Sequence, residues 1–326
     1  MKTIKKFLKK TWDWTESKRH SENLFYKILA AVKDVLWRVC CFLMLSFFEI
    51  KRKLSKGKLP DFLIIGVAKC GTTYLWHILK QHPEVEMSPN FLRIVPRGNL
   101  IPWINNKEID FFSDEKIFEK GLKWYESLFN NNNKKQGEAT PHYSSAENFY
   151  HQKMREYLPD AKLIILLRNP ADRAFSAFNH MVRNQFNMWG PGSGYDMNKN
   201  FSENIELDIK SKFQCGAVVS EGFYMKQIEN LLKYYPRNQL LIIITEQMRE
   251  NPEKNYIEIC DFLGIKNIVL NFKKKAYVGK YIEKLDNQTA KKLYSLYEPF
   301  NKELYKFLGY EIKEWEDMKR GYLNTN

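Results

Sequence analysis

The chain has 326 residues, 44% hydrophobic and 15% aromatic, with 52 basic against 38 acidic side chains and a net charge of +14. That length and apolar content support one large α/β domain with appendages, and the positive balance favours anionic partners: nucleotides, acidic polysaccharides or lipid headgroups. No finger, helix-turn-helix or RNA-binding signature accompanies the charge, so no nucleic-acid partner is expected; Cys40, Cys41, Cys70, Cys215 and Cys260 form neither an even framework nor a CxxC pair, which excludes a disulfide scaffold and fits a reducing, cytoplasmic compartment.

Residues 1–58 read as a basic, partly apolar helical extension. Lys2, Lys5, Lys6, Lys9 and Lys10 open it, and Lys27, Lys33, Asp34 and Arg38 interrupt the apolar run Leu24 to Ile50. The uninterrupted part, Val39 to Phe48, is shorter than the roughly 20 residues that span a bilayer, and no small-residue cleavage site follows it. Two readings stand side by side: an interfacial helix peripheral to an anionic membrane, or a helix packed on the domain that follows. A transmembrane anchor is the least expected of the three. Residues 55–60 form the linker, residues 59–315 the domain, and residues 316–326 a tail.

Phe62 to Ile65 is a short branched apolar run, suited to a buried parallel strand. Gly66-Val67-Ala68-Lys69-Cys70-Gly71-Thr72-Thr73 follows, and then Tyr74, Leu75, Ile78 and Leu79 recur at helical spacing. A strand, a glycine-bracketed loop and a helix present backbone N–H groups and a helix N-terminus to an anion. Gly66 and Gly71 have the spacing of the nucleoside-triphosphate loop GxxxxGK[ST], but Thr72 stands where its lysine belongs and Lys69 lies inside the loop. Gly-x-x-Lys-x-Gly-Thr-Thr instead resembles the 5′-phosphosulfate loop of sulfotransferases that use 3′-phosphoadenosine 5′-phosphosulfate (PAPS). The plain alternative is a tight βα turn with a solvated lysine. Cys70 reads either as a reactive thiol or as a small filler.

Further along, Met87 to Asn106 reads as irregular. Lys107-Glu108-Ile109-Asp110-Phe111-Phe112 then resembles a Lys-Glu-x-x-Phe-Phe-like segment of glycosaminoglycan sulfotransferases, and that resemblance implies Glu108 as general base. Gly137-Glu138-Ala139-Thr140-Pro141-His142-Tyr143 resembles another family segment, with Ala139 where several heparan sulfate enzymes carry a lysine.

The second diagnostic stretch is Ala161 to Arg183. The apolar run Leu163 to Leu167 leads into Arg168, at the strand end where ligands of open α/β sheets bind. Asn169-Pro170 turns the chain into a helix carrying Arg173, Ser176 and His180, the last two as i, i+4 neighbours. Arg-x-Pro-x-x-Arg-x-x-Ser resembles the family's 3′-phosphate site, where a guanidinium and a serine hydroxyl hold phosphate. The resemblance implies that His180 relays a proton or holds the bridging oxygen of the leaving nucleotide. Residues 187–200 read as a loop over the acceptor. A helix opens at Glu221-Gly222-Phe223-Tyr224, with Tyr224 lining the nucleotide pocket or packing in the core. Asn238 to Ile244 is a third buried strand, residues 252–263 form an amphipathic helix closed by Gly264, and residues 287–307 form another. Between those helices, Lys273 to Tyr281 resembles the late Lys-Gly-Arg loop that folds over PAPS, with Gly279 and Lys280 matching and Val278 in place of lysine.

The resemblance covers residues 59–310. It implies a P-loop-like three-layer α/β fold with a central parallel sheet, and sulfuryl transfer from PAPS to a glycan, glycolipid or small alcohol or amine. Lys69, Cys70, Gly71, Thr72 and Thr73 would bind the 5′-side, and Arg168, Ser176, Tyr224, Gly279 and Lys280 the rest of the nucleotide. No metal is expected. The alternatives are a P-loop-like small-molecule kinase, and a degenerate, non-catalytic glycan- or membrane-binding relative.

Overall fold

The computed structural model describes residues 56–88, 93–97, 100–105, 107–184, 196, 199–212, 217–272 and 285–324, with scattered helical positions between 28 and 50. Gly279, Lys280 and most of the expected 187–200 loop lie outside the described residues. Two compact units emerge, one of residues 1–54 and 92–105, the other of residues 55–91 and 106–326.

Seven strands are described: β1 (Phe62–Gly66), β2 (Val85–Met87), β3 (Arg93–Arg97), β4 (Leu100–Asn105), β5 (Lys135–Ala139), β6 (Lys162–Leu167) and β7 (Leu240–Ile244). Eight helices of at least two turns are α1 (Thr72–Leu79), α2 (Asn148–Tyr157), α3 (Pro170–Asn184), α4 (Phe201–Lys210), α5 (Tyr224–Leu232), α6 (Pro252–Leu263), α7 (Asn287–Leu308) and α8 (Lys313–Leu323).

In the first unit, β3 and β4 pair antiparallel, so part of the stretch expected to be irregular is a hairpin. The pairing slips between Val95 and Arg97, at Pro96, which has no N–H to give the ladder. In the larger unit the other five strands form one parallel sheet in the order β2-β5-β1-β6-β7, flanked by helices. The expected strands at 62–65 and 163–167 are present, and the one expected from Asn238 starts at Leu240, after a single 3-10 turn over Arg237–Gln239. β1 is wholly buried, as a central parallel strand must be. Its neighbour β5 was not anticipated, because KQGEA has no apolar pattern. Gln136 and Glu138 are nevertheless fully buried in it, and Gln136 is satisfied by Asn132 Oδ1 at 3.0 Å and by the Asn130 N–H at 3.3 Å. Gly137 is there for space: a Cβ would lie 2.2 Å from the Phe62 ring.

The helices start and stop for local reasons. Pro170 occupies the first position of α3, and the Asn169 side chain accepts from the N–H of Ala171 and Asp172 at 3.1 and 3.2 Å. Asn251 caps α6 in the same way, and Asp286 caps α7. The helix expected to open at Glu221 opens at Tyr224. The tail expected from 316 onward continues α8 as far as Leu323, with Trp315 buried at its start. A second apolar cluster, with Phe175, Phe178 and Met181 of α3 against Phe201, Leu293 and Tyr297, fastens α3 to α4 and α7.

Candidate active site

The strand order decides where a ligand can sit. From β1 the chain goes outward to edge strand β2; from β6 it goes to the opposite edge, β7. The C-terminal ends of β1 and β6 therefore bound a topological switch point, the crevice where open α/β sheets bind ligands. The loop after β1 and Arg168 after β6 share it. They are directly joined: the Val67 N–H donates to the Leu166 carbonyl at 2.9 Å.

The loop's shape comes from a few bonds. The Cys70 N–H donates to the Val67 carbonyl at 3.1 Å, and the Thr245 hydroxyl at the end of β7 donates to the Cys70 carbonyl at 2.6 Å. Lys69 is left-handed at φ 72° and Gly71 at φ 92°. That conformation is open to glycine and costs a lysine about 1 kcal/mol or more, and the surrounding bonds hold it. Gly71 precedes α1, whose first turn has no side-chain cap and no acidic residue. Thr72 is its first residue and Thr73 its second. The opening N–H groups of a helix have no intrahelical acceptor, so this terminus suits a phosphate.

Arg168 is nearly buried, and its Nη2 meets Asp172 Oδ2 at 3.4 Å one turn along α3. The two arginines of the motif have different places. Arg173 is fully buried, donating to the Ala68 carbonyl of the loop at 3.4 Å, to the Val218 carbonyl, and to Glu221 Oε2 at 3.0 Å. Arg173 is therefore a brace behind the phosphate loop. Burial raises the Glu221 carboxyl even against the pull of Arg173.

Two residues read as nucleotide contacts are turned into the protein interior. The Cys70 thiol is buried against Tyr224 Oη at 3.9 Å, and burial pushes its pKa up to about 12. It is neutral at physiological pH, which removes the reactive-thiol reading. The Tyr224 hydroxyl donates to the Arg168 carbonyl at 2.6 Å, and Tyr224 is 1% exposed. It acts as a strut between the two strand ends and does not line an open pocket. Ser176 is buried on α3, and His180 lies one turn further, partly exposed. Ten residues past Pro170 place His180 about 15 Å along the helix.

Glu108 reaches the site through a residue the sequence reading passed over. Lys107, 7% exposed, donates to Glu108 Oε1 at 3.0 Å and to the Thr72 hydroxyl at 3.2 Å. A carboxylate and an ammonium thus stand at the N-terminus of α1. Behind them, the Thr140 hydroxyl accepts from the N–H of Ile109 at 3.0 Å and of Asp110 at 3.4 Å, and donates to Glu138 Oε2 at 3.5 Å. Tyr125 donates to Glu138 Oε1 at 2.6 Å. Burial lifts Glu138 to about 8, above the pull of those donors. A periodicity search could not find this network, because its members are single polar residues on four separate segments. A concavity of about 330 Å³ opens at the other ends of the strands beside Asp61, Lys135 and Lys162 and contains none of these groups.

A parallel α/β sheet whose switch point carries a lysine-bearing anion loop, an arginine and a lysine–glutamate pair defines a class of phosphate-handling transferase. The family model for the sulfotransferase domain matches residues 59–303, and the chain belongs to that family. It is similar to human bifunctional heparan sulfate N-deacetylase/N-sulfotransferase 2, with 30% identity over 258 residues, 74% of this chain and 26% of that protein. Human bifunctional heparan sulfate N-deacetylase/N-sulfotransferase 1 is 26% identical over 269 residues, 78% of this chain and 28% of that protein. The chain thus spans about a quarter of the length of these relatives. Among solved structures, the sulfotransferase from Alicyclobacillus acidocaldarius shares the fold at TM-score 0.58 and 24% identity, covering 79% of this chain and 98% of that one.

Proposed function

We propose that the protein transfers a sulfuryl group from PAPS to an amine or hydroxyl of a carbohydrate acceptor. The observation that carries the reading is the Val67–Leu166 bond, which puts the Lys69 loop and Arg168 on adjacent strand ends, about 5 Å apart and within reach of the two phosphates of one adenosine bisphosphate. Membership of the sulfotransferase family supports this donor over ATP. The names of the relatives put a heparan sulfate amine first among acceptors to try.

In this mechanism Glu108 takes the proton from the acceptor N–H or O–H as the nucleophile bonds to sulfur. The bond from sulfur to the bridging oxygen breaks, and its electron pair goes to the 5′-phosphate. Lys69, the opening N–H groups of α1 and the Thr72 and Thr73 hydroxyls stabilise the charge that builds there. Arg168 and Ser176 hold the 3′-phosphate, and His180 is the candidate for relaying a proton at the leaving oxygen. The reading is supported by the α1 terminus, whose own first turn has neither a side-chain cap nor an acidic residue. The test is transfer of radiolabelled sulfate from PAPS across a panel of N-deacetylated heparan sulfate, other glycans, glycolipids and small alcohols. Transfer to one carbohydrate class is expected; no labelled product on any acceptor, with ATP-dependent phosphorylation instead, would overturn the reading.

A further inference from the structure

The first 58 residues hold fifteen basic and five acidic side chains, so +10 of the chain's net +14 lies in a segment the catalytic reading does not use. Within it, described helical positions present Ile28, Val32, Val35, Val39, Leu43 and Ile50, flanked by Leu36, Phe42 and Phe47, all nine between 49% and 68% exposed. Taken as one helix at about 100° per residue, these nine fall within an arc of about 140°, a broad apolar stripe. Lys27 precedes them, Lys33, Asp34, Arg38 and Glu49 interrupt the sequence between them, and Lys51, Arg52, Lys53 and Lys56 follow.

A stripe of this kind calls for an apolar cover, and the charge beside it calls for a negative one. An anionic phospholipid leaflet supplies both in one surface. Crossing the bilayer is disfavoured: the uninterrupted apolar run Val39 to Phe48 covers about 15 Å as helix, half of the about 30 Å core. Among the described residues no helix is long and apolar enough to cross a membrane. We propose that the N-terminal segment lies along an anionic phospholipid surface, with the Ile28–Ile50 stripe at the acyl boundary and the basic residues 51–56 at the headgroups. The attachment concerns a different part of the chain from the sulfuryl-transfer site, so each stands or falls alone.

The test is co-sedimentation of the full chain with vesicles of phosphatidylcholine alone, or with about 30 mol % phosphatidylserine. Binding to the serine-containing vesicles is expected to exceed binding to phosphatidylcholine at least tenfold and to weaken as salt is raised. Replacing Lys51, Arg52, Lys53 and Lys56 together by Gln should lower partitioning by nearly three orders of magnitude, at about fivefold per side chain. Val35→Asp with Val39→Asp should also reduce it at least tenfold, with circular dichroism and thermal melting used to check that the domain is folded. The salt series on the unaltered chain tests the charge contribution independently of any variant. Equal sedimentation with both lipids overturns the proposal. So does undiminished binding by the folded double aspartate variant, which would make the segment a plain polyanion binder. A self-association that the same variant abolishes, without vesicle binding by the unaltered chain, would assign the stripe to a second copy and overturn it too.

Discussion

The Lys107 ammonium donates to the Thr72 hydroxyl across 3.2 Å, tying the segment that carries Glu108 to the first residue of α1. The same ammonium holds Glu108 Oε1 at 3.0 Å, so one buried cation sets the spacing between the proposed base and the phosphate-binding terminus. Lys107→Met keeps the aliphatic stem and removes the charge. It is expected to lower kcat by roughly 10²-fold, in the range of lost electrostatic and positioning groups, with nucleotide affinity changed far less. Steady-state kinetics with bisphosphate titration would show it; an unaltered kcat would leave Lys107 a packing residue.

Lys69→Ala addresses the leaving group. Lys69 sits in a strained left-handed turn at φ 72°, and alanine there faces the same backbone cost. In the proposed mechanism this side chain acts where negative charge grows during transfer, so turnover should fall at least about 10²-fold. Binding of adenosine 3′,5′-bisphosphate, held also by Arg168, should weaken less. Calorimetric titration beside initial rates separates the two, and a fully active variant would remove Lys69 from the chemistry.

Glu108→Gln preserves shape and the contact with Lys107 while abolishing the proton acceptor. An expected loss of about 10²-fold or more in kcat follows from removing a general base. A rate that matches the parent at saturating acceptor would transfer the base role elsewhere, with His180 the next residue to replace.

How much of this could be read from residues alone depends on what each position needed. β1 and β6 were legible because central parallel strands bury both faces and read as apolar runs, and the edge strand β7 because its sequence LLIII is an unbroken apolar run. The loop and Arg168 were legible because glycine, lysine and arginine at strand ends are a chemical pattern as much as a structural one. β5 was not, since Gln136 and Glu138 are buried against partners on other segments, Glu86 and Tyr125, 50 and 13 residues away in sequence. Tyr224 and Cys70 were assigned to the ligand from their place in sequence; only the fold shows the phenol spent on the Arg168 carbonyl. Lys107 was overlooked for the same reason, because its contact with Thr72 spans 35 residues.

Glu138 gives the protein a pH dependence of known sign. Its carboxyl is raised from 4.5 to about 8, chiefly by burial, with Asp110 adding to the rise and Tyr125, Tyr143 and Thr140 opposing it. Below 4.5 it is protonated in both the folded and unfolded chain, and its contribution to stability is fully present. As pH rises towards 8 the unfolded chain releases the proton first, so that contribution is progressively lost. Glu138→Gln is neutral throughout and still accepts from Tyr125. The variant should show a smaller drop in urea midpoint between about pH 5 and pH 8 than the parent. Identical drops would mean that Glu138 is not the group responsible.

Trp315 lies beyond residues 59–303, the part matched to the family, yet it is joined through Glu246 to the residue that follows Arg168. Its indole donates to Glu246 Oε2 at 2.9 Å, and Glu246 Oε1 accepts the Asn169 N–H at 3.0 Å. Asn169 in turn caps α3, directly after Arg168. Trp315→Phe retains an aromatic ring against Tyr224 but loses the donor, leaving a buried carboxylate oxygen short of one bond. About 1–2 kcal/mol is at stake, and because the relay ends beside Arg168 the loss should fall on nucleotide affinity, by about tenfold, with the KM of the acceptor unmoved. Glu246→Gln presents an amide N–H to the indole and should act in the same direction. Both are measured by calorimetric titration with adenosine 3′,5′-bisphosphate. A lowered melting temperature with unchanged nucleotide affinity would confine Trp315 to holding α8 in place.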